Sequence, residues 1–221
     1  MLIGEIISRV RTTNKLVGAD IRITDRYVYN QLTTKRNYFI KLEDDKRRLL
    51  KHTQLFKPLN EVELIDVNTA EVCGIDIGKI IKRTRYKLPK IVKAGYGPVI
   101  KRVSSLDASE LLVQTDENSF SRKVTLDTYK YDKTLYYFLK DGYMYFPNLP
   151  WNVVSIEAYF EDPFEVDSLN DCEDSCEPMQ NREFLVPSFL EEVIIKEASE
   201  ELARYYSRLR EDLNINKNPN E

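Results

Sequence analysis

The sequence predicts an α+β protein: a small antiparallel helical bundle built from the two ends of the chain, with a mainly antiparallel β region inserted between them. Two observations lead there. Apolar residues recur with helical spacing near both termini, and the stretch from Phe56 to Pro163 instead carries short β-branched or aromatic runs parted by turn residues. The expected divisions are a helical region over 1–55, the β region with long loops over 56–182, a C-terminal helix over 183–212 packing on the first region, and a mobile tail over 213–221.

Each element has a local reason. Ile3, Ile6, Ile7 and Val10 follow the i, i+3, i+4, i+7 rule and predict an amphipathic helix over residues 2–13. Thr24 or Asp25 can cap a second helix, whose buried stripe would be Val28, Leu32, Phe39 and Leu42, with Lys35 intruding, as far as about Lys46. Strands are expected at Val62–Val67, Leu111–Thr115 and Val153–Phe160. Leu135–Leu139 and Tyr143–Phe146 flank Asp141-Gly142, a pair that accepts the positive φ angles of a tight hairpin turn. Ser188 and Glu191 have the spacing of a capping box, followed by the stripe Leu190, Ile194, Ala198, Leu202, Tyr205 and Leu209.

The composition narrows the function. The 221 residues carry a formal net charge of -3, too balanced for a chain built to coat nucleic acid or an anionic membrane. No run of apolar residues approaches a membrane span. The opening Met1-Leu2-Ile3-Gly4-Glu5 lacks the basic start of a secretory signal, so an intracellular origin is expected. Three cysteines, Cys73, Cys172 and Cys176, suit a reducing compartment. The 14 tyrosines against 7 glycines suit half-buried strands and contact surfaces.

No catalytic constellation emerges. His52 stands alone in a basic run. Cys172 and Cys176 have the reach of a metal clip, but acidic neighbours raise a thiol pKa and further ligands would come from far away. Gly95-Tyr96-Gly97 has no helix and no Lys-Ser/Thr behind it to complete a phosphate loop. No enzyme, cofactor or metal is expected.

Charge segregation is the feature that stands out. Nine basic residues and no acidic one lie between Ile77 and Leu106: Lys79, Lys82, Arg83, Arg85, Lys87, Lys90, Lys93, Lys101 and Arg102. Nine acidic residues and no basic one lie between Trp151 and Asn181, among them Glu157, Glu161, Asp162, Glu165 and Asp167. Three readings stay open. The stretches are solvated surface or neighbours within one subunit; or residues 79–102 bind nucleic acid, with Tyr86 and Tyr96 stacking on bases; or the basic stretch of one copy meets the acidic stretch of the next.

The order of signals also resembles a known family. Ile23-Thr24-Asp25-Arg26-Tyr27-Val28-Tyr29-Asn30-Gln31-Leu32 leads into Arg36-Asn37-Tyr38-Phe39-Ile40-Lys41. Asp141-Gly142-Tyr143-Met144-Tyr145-Phe146-Pro147, Tyr159-Phe160-Glu161-Asp162-Pro163 and the helix after Val186-Pro187 follow. Together they resemble the head-to-tail connector proteins of tailed bacteriophages, short-tailed or crAss-like. The resemblance implies a virion protein, made in the host cytoplasm, that forms a ring at the head-tail junction, commonly of twelve copies. Its partners would be further copies of itself, the portal protein and other neck or tail proteins. Genomic DNA would pass through the lumen without sequence-specific binding, and no membrane, catalytic residue or cofactor would be involved. Expected interface residues are Arg26, Tyr29 and Arg36 on the second helix, then Lys79, Lys82, Arg83, Arg85, Lys87 and Lys90, and on the acidic side Glu161, Asp162 and Glu165.

Overall fold

The computed structural model describes residues 1–15, 24–46, 55–68, 80–125, 133–170 and 178–215. The chain divides into two compact units, Met1–Leu55 with Glu173–Glu221, and Phe56–Cys172.

The first unit packs three helices on one another: α1 (Ile3–Lys15), α2 (Asp25–Asp45) and α5 (Ser188–Ile215). Ile3, Ile6, Ile7 and Val10 bury the predicted face of α1. Thr24 caps α2, its hydroxyl accepting from the Tyr27 amide at 3.3 Å. The buried stripe of α2 is Val28, Tyr29, Leu32, Arg36, Ile40 and Glu43, so it is turned away from the expected Phe39 and Leu42. The intruding Lys35 reaches out to Glu201, 2.5 Å away. Leu190, Ile194, Ala198 and Leu202 give α5 its inner face. Ser188 is already helical and Glu191 Oε1 is buried without a hydrogen bond, so the expected capping box does not form. The helix also runs on to Ile215, through the first three residues of the expected mobile tail. The N-terminus is stitched to the segment before α5: Ile3 N–H bonds the Arg182 carbonyl at 2.9 Å and Phe184 N–H bonds the Met1 carbonyl at 3.0 Å.

The second unit is a seven-stranded sheet. Its strands are β1 (Lys57–Asn68), β2 (Ile80–Thr84), β5 (Ile100–Ser104), β6 (Leu112–Gln114), β7 (Leu135–Lys140), β8 (Tyr143–Phe146) and β9 (Val153–Ala158), in the order β5-β9-β1-β2-β8-β7-β6. A separate two-stranded hairpin holds β3 (Lys93–Ala94) and β4 (Gly97–Pro98). Strand β1 turns the corner of the sheet. Its first half pairs with β9 and its second half with β2, with a bulge between Leu59 and Val62 and a positive φ of 54° at Glu61. The β7–β8 hairpin has the expected tight turn, with φ of 52° at Asp141 and 83° at Gly142.

The edge strands β5 and β6 are neighbours in sequence. A bridge between Ser104 and Leu111 joins them, so the sheet nearly closes on itself. Leu59, Val103, Met144, Phe146, Val154, Ile156 and Phe160 belong to the larger core. A smaller cluster, Ile81, Phe120, Phe138 and Tyr145, seats α3 (Glu117–Thr125) beside β7. A last short helix, α4 (Pro163–Asn170), packs along β1.

This architecture corrects the expected fold class. The protein is dominated by a seven-stranded near-barrel and is not a helical bundle carrying an inserted sheet. The β region is also less uniform than expected: β6 and β7 run parallel, and α3 and α4 lie within it. Helical stripes announce themselves in any short window. Closure of a sheet depends on pairings such as Leu59 with Ile156, which no local pattern encodes.

Candidate functional site

The predicted interface residues fall into three groups. On α2, Arg26 is exposed, while Tyr29 and Arg36 are buried in the helical unit. Arg36 is 1% exposed; its Nε donates to the Leu185 carbonyl at 2.7 Å and its Nη1 to Asn37 Oδ1 at 3.1 Å.

On β2 and the loop after it, Lys82, Arg83, Arg85 and Lys87 have partners within the unit. Lys82 Nζ donates to the Trp151 carbonyl at 3.0 Å and to Asn152 Oδ1 at 2.7 Å. The Arg83 guanidinium lies 4.4 Å from the centre of the Tyr143 ring, and Lys87 Nζ lies 5.8 Å from the same ring. Arg85 Nη1 meets Glu63 Oε2 at 2.7 Å. That hydrogen bond, and then the nearby Tyr86 and the Glu63 charge, hold the Arg85 guanidinium above its ordinary value. Lys87 and Lys90 are exposed. Lys79 lies outside the described residues, as do His52, Cys73, Cys172 and Cys176.

Of the acidic residues, Glu165 is exposed and Glu161 and Asp162 are half-buried. Asp162 Oδ1 accepts from the Phe164 amide at 3.0 Å where α4 begins. The acidic and basic stretches meet in this same chain where β5 lies against β9. Glu157 faces Lys101 Nζ at 3.0 Å and Arg102 Nη2 at 3.2 Å. Asp167 likewise pairs with Lys57. Part of the charge segregation is therefore neutralised inside one subunit.

Other surface features carry contact chemistry that the sequence reading did not single out. Leu106, Leu111 and Val113 are exposed by 55%, 60% and 49% along the turn after β5 and the edge strand β6. Their signal was present: in a strand, alternation around the buried Leu112 sends Leu111 and Val113 outward. The turn itself is fixed by Asp107, whose Oδ1 accepts from the Ser109 amide at 3.2 Å and the Ser109 hydroxyl at 2.9 Å. Hydrogen bonds from Ser105 first, then Ser109, hold the Asp107 carboxyl below its ordinary value. In the helical unit, Thr13, Val193, Ile195 and Ala203 help line a groove of about 590 Å³ along α1 and α5.

Among the described residues, no group of three or more His, Cys, Asp or Glu could hold a metal ion. No described helix is long and apolar enough to cross a membrane. Burial pushes the Tyr137 phenol up, away from any role as a base near neutrality.

The described surface thus combines exposed apolar side chains on and beside β6, exposed tyrosines and partly paired charges. Residues 2–221 match the family model for phage tail ring protein 2, of the crAss ring group, and the chain belongs to that family. A search of curated proteins finds no match. Membership makes this a bacteriophage structural protein, a virion component that acts in a ring.

Proposed function

We propose that this ring sits in the head-to-tail connector below the portal, where it extends the channel for the genome and docks the tail. The family match along residues 2–221 carries this reading. The ring contains twelve copies, touches the portal or another neck protein on one side, and needs no catalytic residue or cofactor. Arg26, Arg85, Lys87, Lys90 and Glu165, the exposed members of the predicted set, lie at contacts between chains. Tyr29 and Arg36 support those contacts by holding the helical unit rigid.

The intrachain pairing of Lys101, Arg102 and Arg85 favours this function over nucleic-acid binding. Cations already matched by carboxylates release few counterions to a phosphate backbone. A sliding genome is best served by such a surface.

Cryo-electron microscopy of intact particles tests the placement. A twelvefold ring of this chain between portal and tail is the expected result. Density for the chain at the distal end of the tail, or in a ring of another order, would refute the position or the copy number respectively. Gel-shift titration at low salt tests the nucleic-acid reading, and no complex is expected.

A further inference from the structure

A ring of identical chains closed by rotation uses heterologous contacts, so each copy must present two different patches that fit each other. The helical unit carries such a pair by itself.

The first patch is a ridge on α2. Between Asp25 and Asp44 the only exposed residues are Arg26, Asn30, Thr34 and Tyr38. Their spacing of four puts them in one row along the helix. The row lies across the helix from the buried stripe that includes Val28, Leu32, Arg36 and Ile40, so it faces out of the unit. It begins with a cation, Arg26, which meets no carboxylate among the described residues. It ends in an aromatic ring, Tyr38, which is 56% exposed.

The second patch is the groove of about 590 Å³ along α1 and α5. Two more rows spaced by four line it on α5: Glu192, Lys196 and Glu200, and beside them Ile195, Ser199 and Ala203. Ser199 and Ala203 are small, so the furrow stays open where longer side chains would fill it. Toward the start of α5 the surface turns apolar, with Val193 41% exposed and Phe189, one turn earlier, 48% exposed. The carboxylates of the groove are loosely held. Glu200 meets Arg204 and Glu192 meets Arg9, each at 3.7 Å and at the surface, where an ion pair is weak and easily exchanged.

Ridges spaced by four settle into furrows between rows spaced by four. The lengths agree, since Arg26 to Tyr38 spans about 18 Å and Phe189 to Glu200 about 17 Å at the helical rise. The direction agrees with a ring as well. Within one chain α2 runs antiparallel to α5: the rings of Tyr27 and Tyr205 lie 6.0 Å apart, while Lys35, farther along α2, reaches back to Glu201 and Glu197. One step of a twelve-copy ring turns a helix by at most about 30°. The α2 of a neighbouring copy therefore also arrives antiparallel to α5. That orientation sets Arg26 beside Glu200 and lays Tyr38 over Val193 and Phe189, cation to carboxylate at one end and apolar to apolar at the other.

We infer that the ridge from Arg26 to Tyr38 of one copy seats in the α1–α5 groove of the next. The inference rests on the ring reading and gives it its repeating contact. Arg26 pairs with Glu200 across the boundary, and Asn30 and Thr34 cross the furrow near Lys196.

The test places a photo-crosslinking amino acid in place of Tyr38 in the full chain. Crosslinks are mapped by mass spectrometry, both in rings assembled in solution from isotope-labelled and unlabelled copies and in rings released from particles. Crosslinks to residues 189–196 of a neighbouring copy are expected. Arg26→Glu should raise the concentration for half-assembly about tenfold, because it faces Glu200 with a like charge. Adding Glu200→Arg to it should restore assembly to within about threefold of the original. Both variants should keep the circular dichroism of the unaltered chain. Crosslinks elsewhere on the neighbour, or a double variant that assembles no better than Arg26→Glu, would overturn the inference and leave the ring intact. Crosslinks within the same chain or to a different virion protein would overturn the choice of a second copy. If the unaltered chain forms no ring in either setting, the ring reading falls and takes this contact with it.

Discussion

Arg36 and Leu185 are joined by a 2.7 Å hydrogen bond across 149 positions of sequence, from the guanidinium Nε to a backbone carbonyl just before α5. A buried guanidinium is a costly device unless its donors are matched. Here it fixes the entry of the C-terminal helix against α2. Arg36→Met removes the donor and leaves a carbonyl unpaired, so a loss of about 1–3 kcal/mol is expected. Arg36→Lys should recover little of it, because an ammonium does not reproduce the planar fork. Urea denaturation followed by circular dichroism measures both.

Phe120 anchors α3 on the sheet. Its ring centroid lies 4.9 Å from that of Phe138, which stacks on Tyr145 at 5.1 Å. Phe120→Ala opens a cavity beneath the helix and should cost about 3–5 kcal/mol. Hydrogen exchange would then quicken first in residues 117–125, ahead of β1 and β9.

Gly142 adopts φ of 83° with room around it, since an added Cβ would meet Lys87 no closer than 3.7 Å. The obstacle to a side chain is the backbone angle. Gly142→Ala should therefore destabilise the β7–β8 hairpin by about 1–2 kcal/mol, and Gly142→Asn by less, because asparagine tolerates this region better. Thermal denaturation of the three proteins orders them.

Asp107 should titrate below the ordinary aspartate value of 3.8, because Ser105 and Ser109 donate to its charged form. Its folded value lies below its unfolded one. Its contribution is thus complete above the unfolded value and fades as the pH falls through the folded one. Carboxyl-carbon NMR should show a midpoint below 3.8 that moves up in Ser109→Ala. A midpoint at the ordinary value would mean the turn is open in solution.

The sequence was most informative where the structure is local. The first face of α1, the Thr24 cap, and the Asp141-Gly142 turn follow from a few adjacent residues and are found as expected. The α2 stripe turned because Arg36, a charged residue, is buried against a carbonyl contributed from far along the chain. The fold class was misjudged for the same reason: β1 and β5 both pair with β9 across long stretches of sequence, and only those pairings turn the local Ser104–Leu111 bridge into a near-closure of the sheet. The opposed charge stretches were visible as sequence. Their partial union at Glu157 became visible only once β5 and β9 were seen side by side. Leu111 and Val113 were inside a predicted strand, but which face of it lay outward depends on neighbours that one strand does not name.

The corner strand β1 has a consequence for how the protein is made. Lys57 pairs with Ala158, so during synthesis β1 leaves the ribosome roughly a hundred residues before its partner exists. At about 5–20 residues per second, that is a wait on the order of 5–20 s. Throughout it, Leu59 and the rest of the first half of β1 lack their partner strand, and only Leu64–Asn68 can pair, with β2. The β7–β8 hairpin, by contrast, closes over two residues as it emerges. Nascent chains of this protein should thus pass through a state in which local hairpins are set and half of β1 is bare. Chaperone capture, or arrest by a codon-slowed stretch ahead of Val153, would act on that interval.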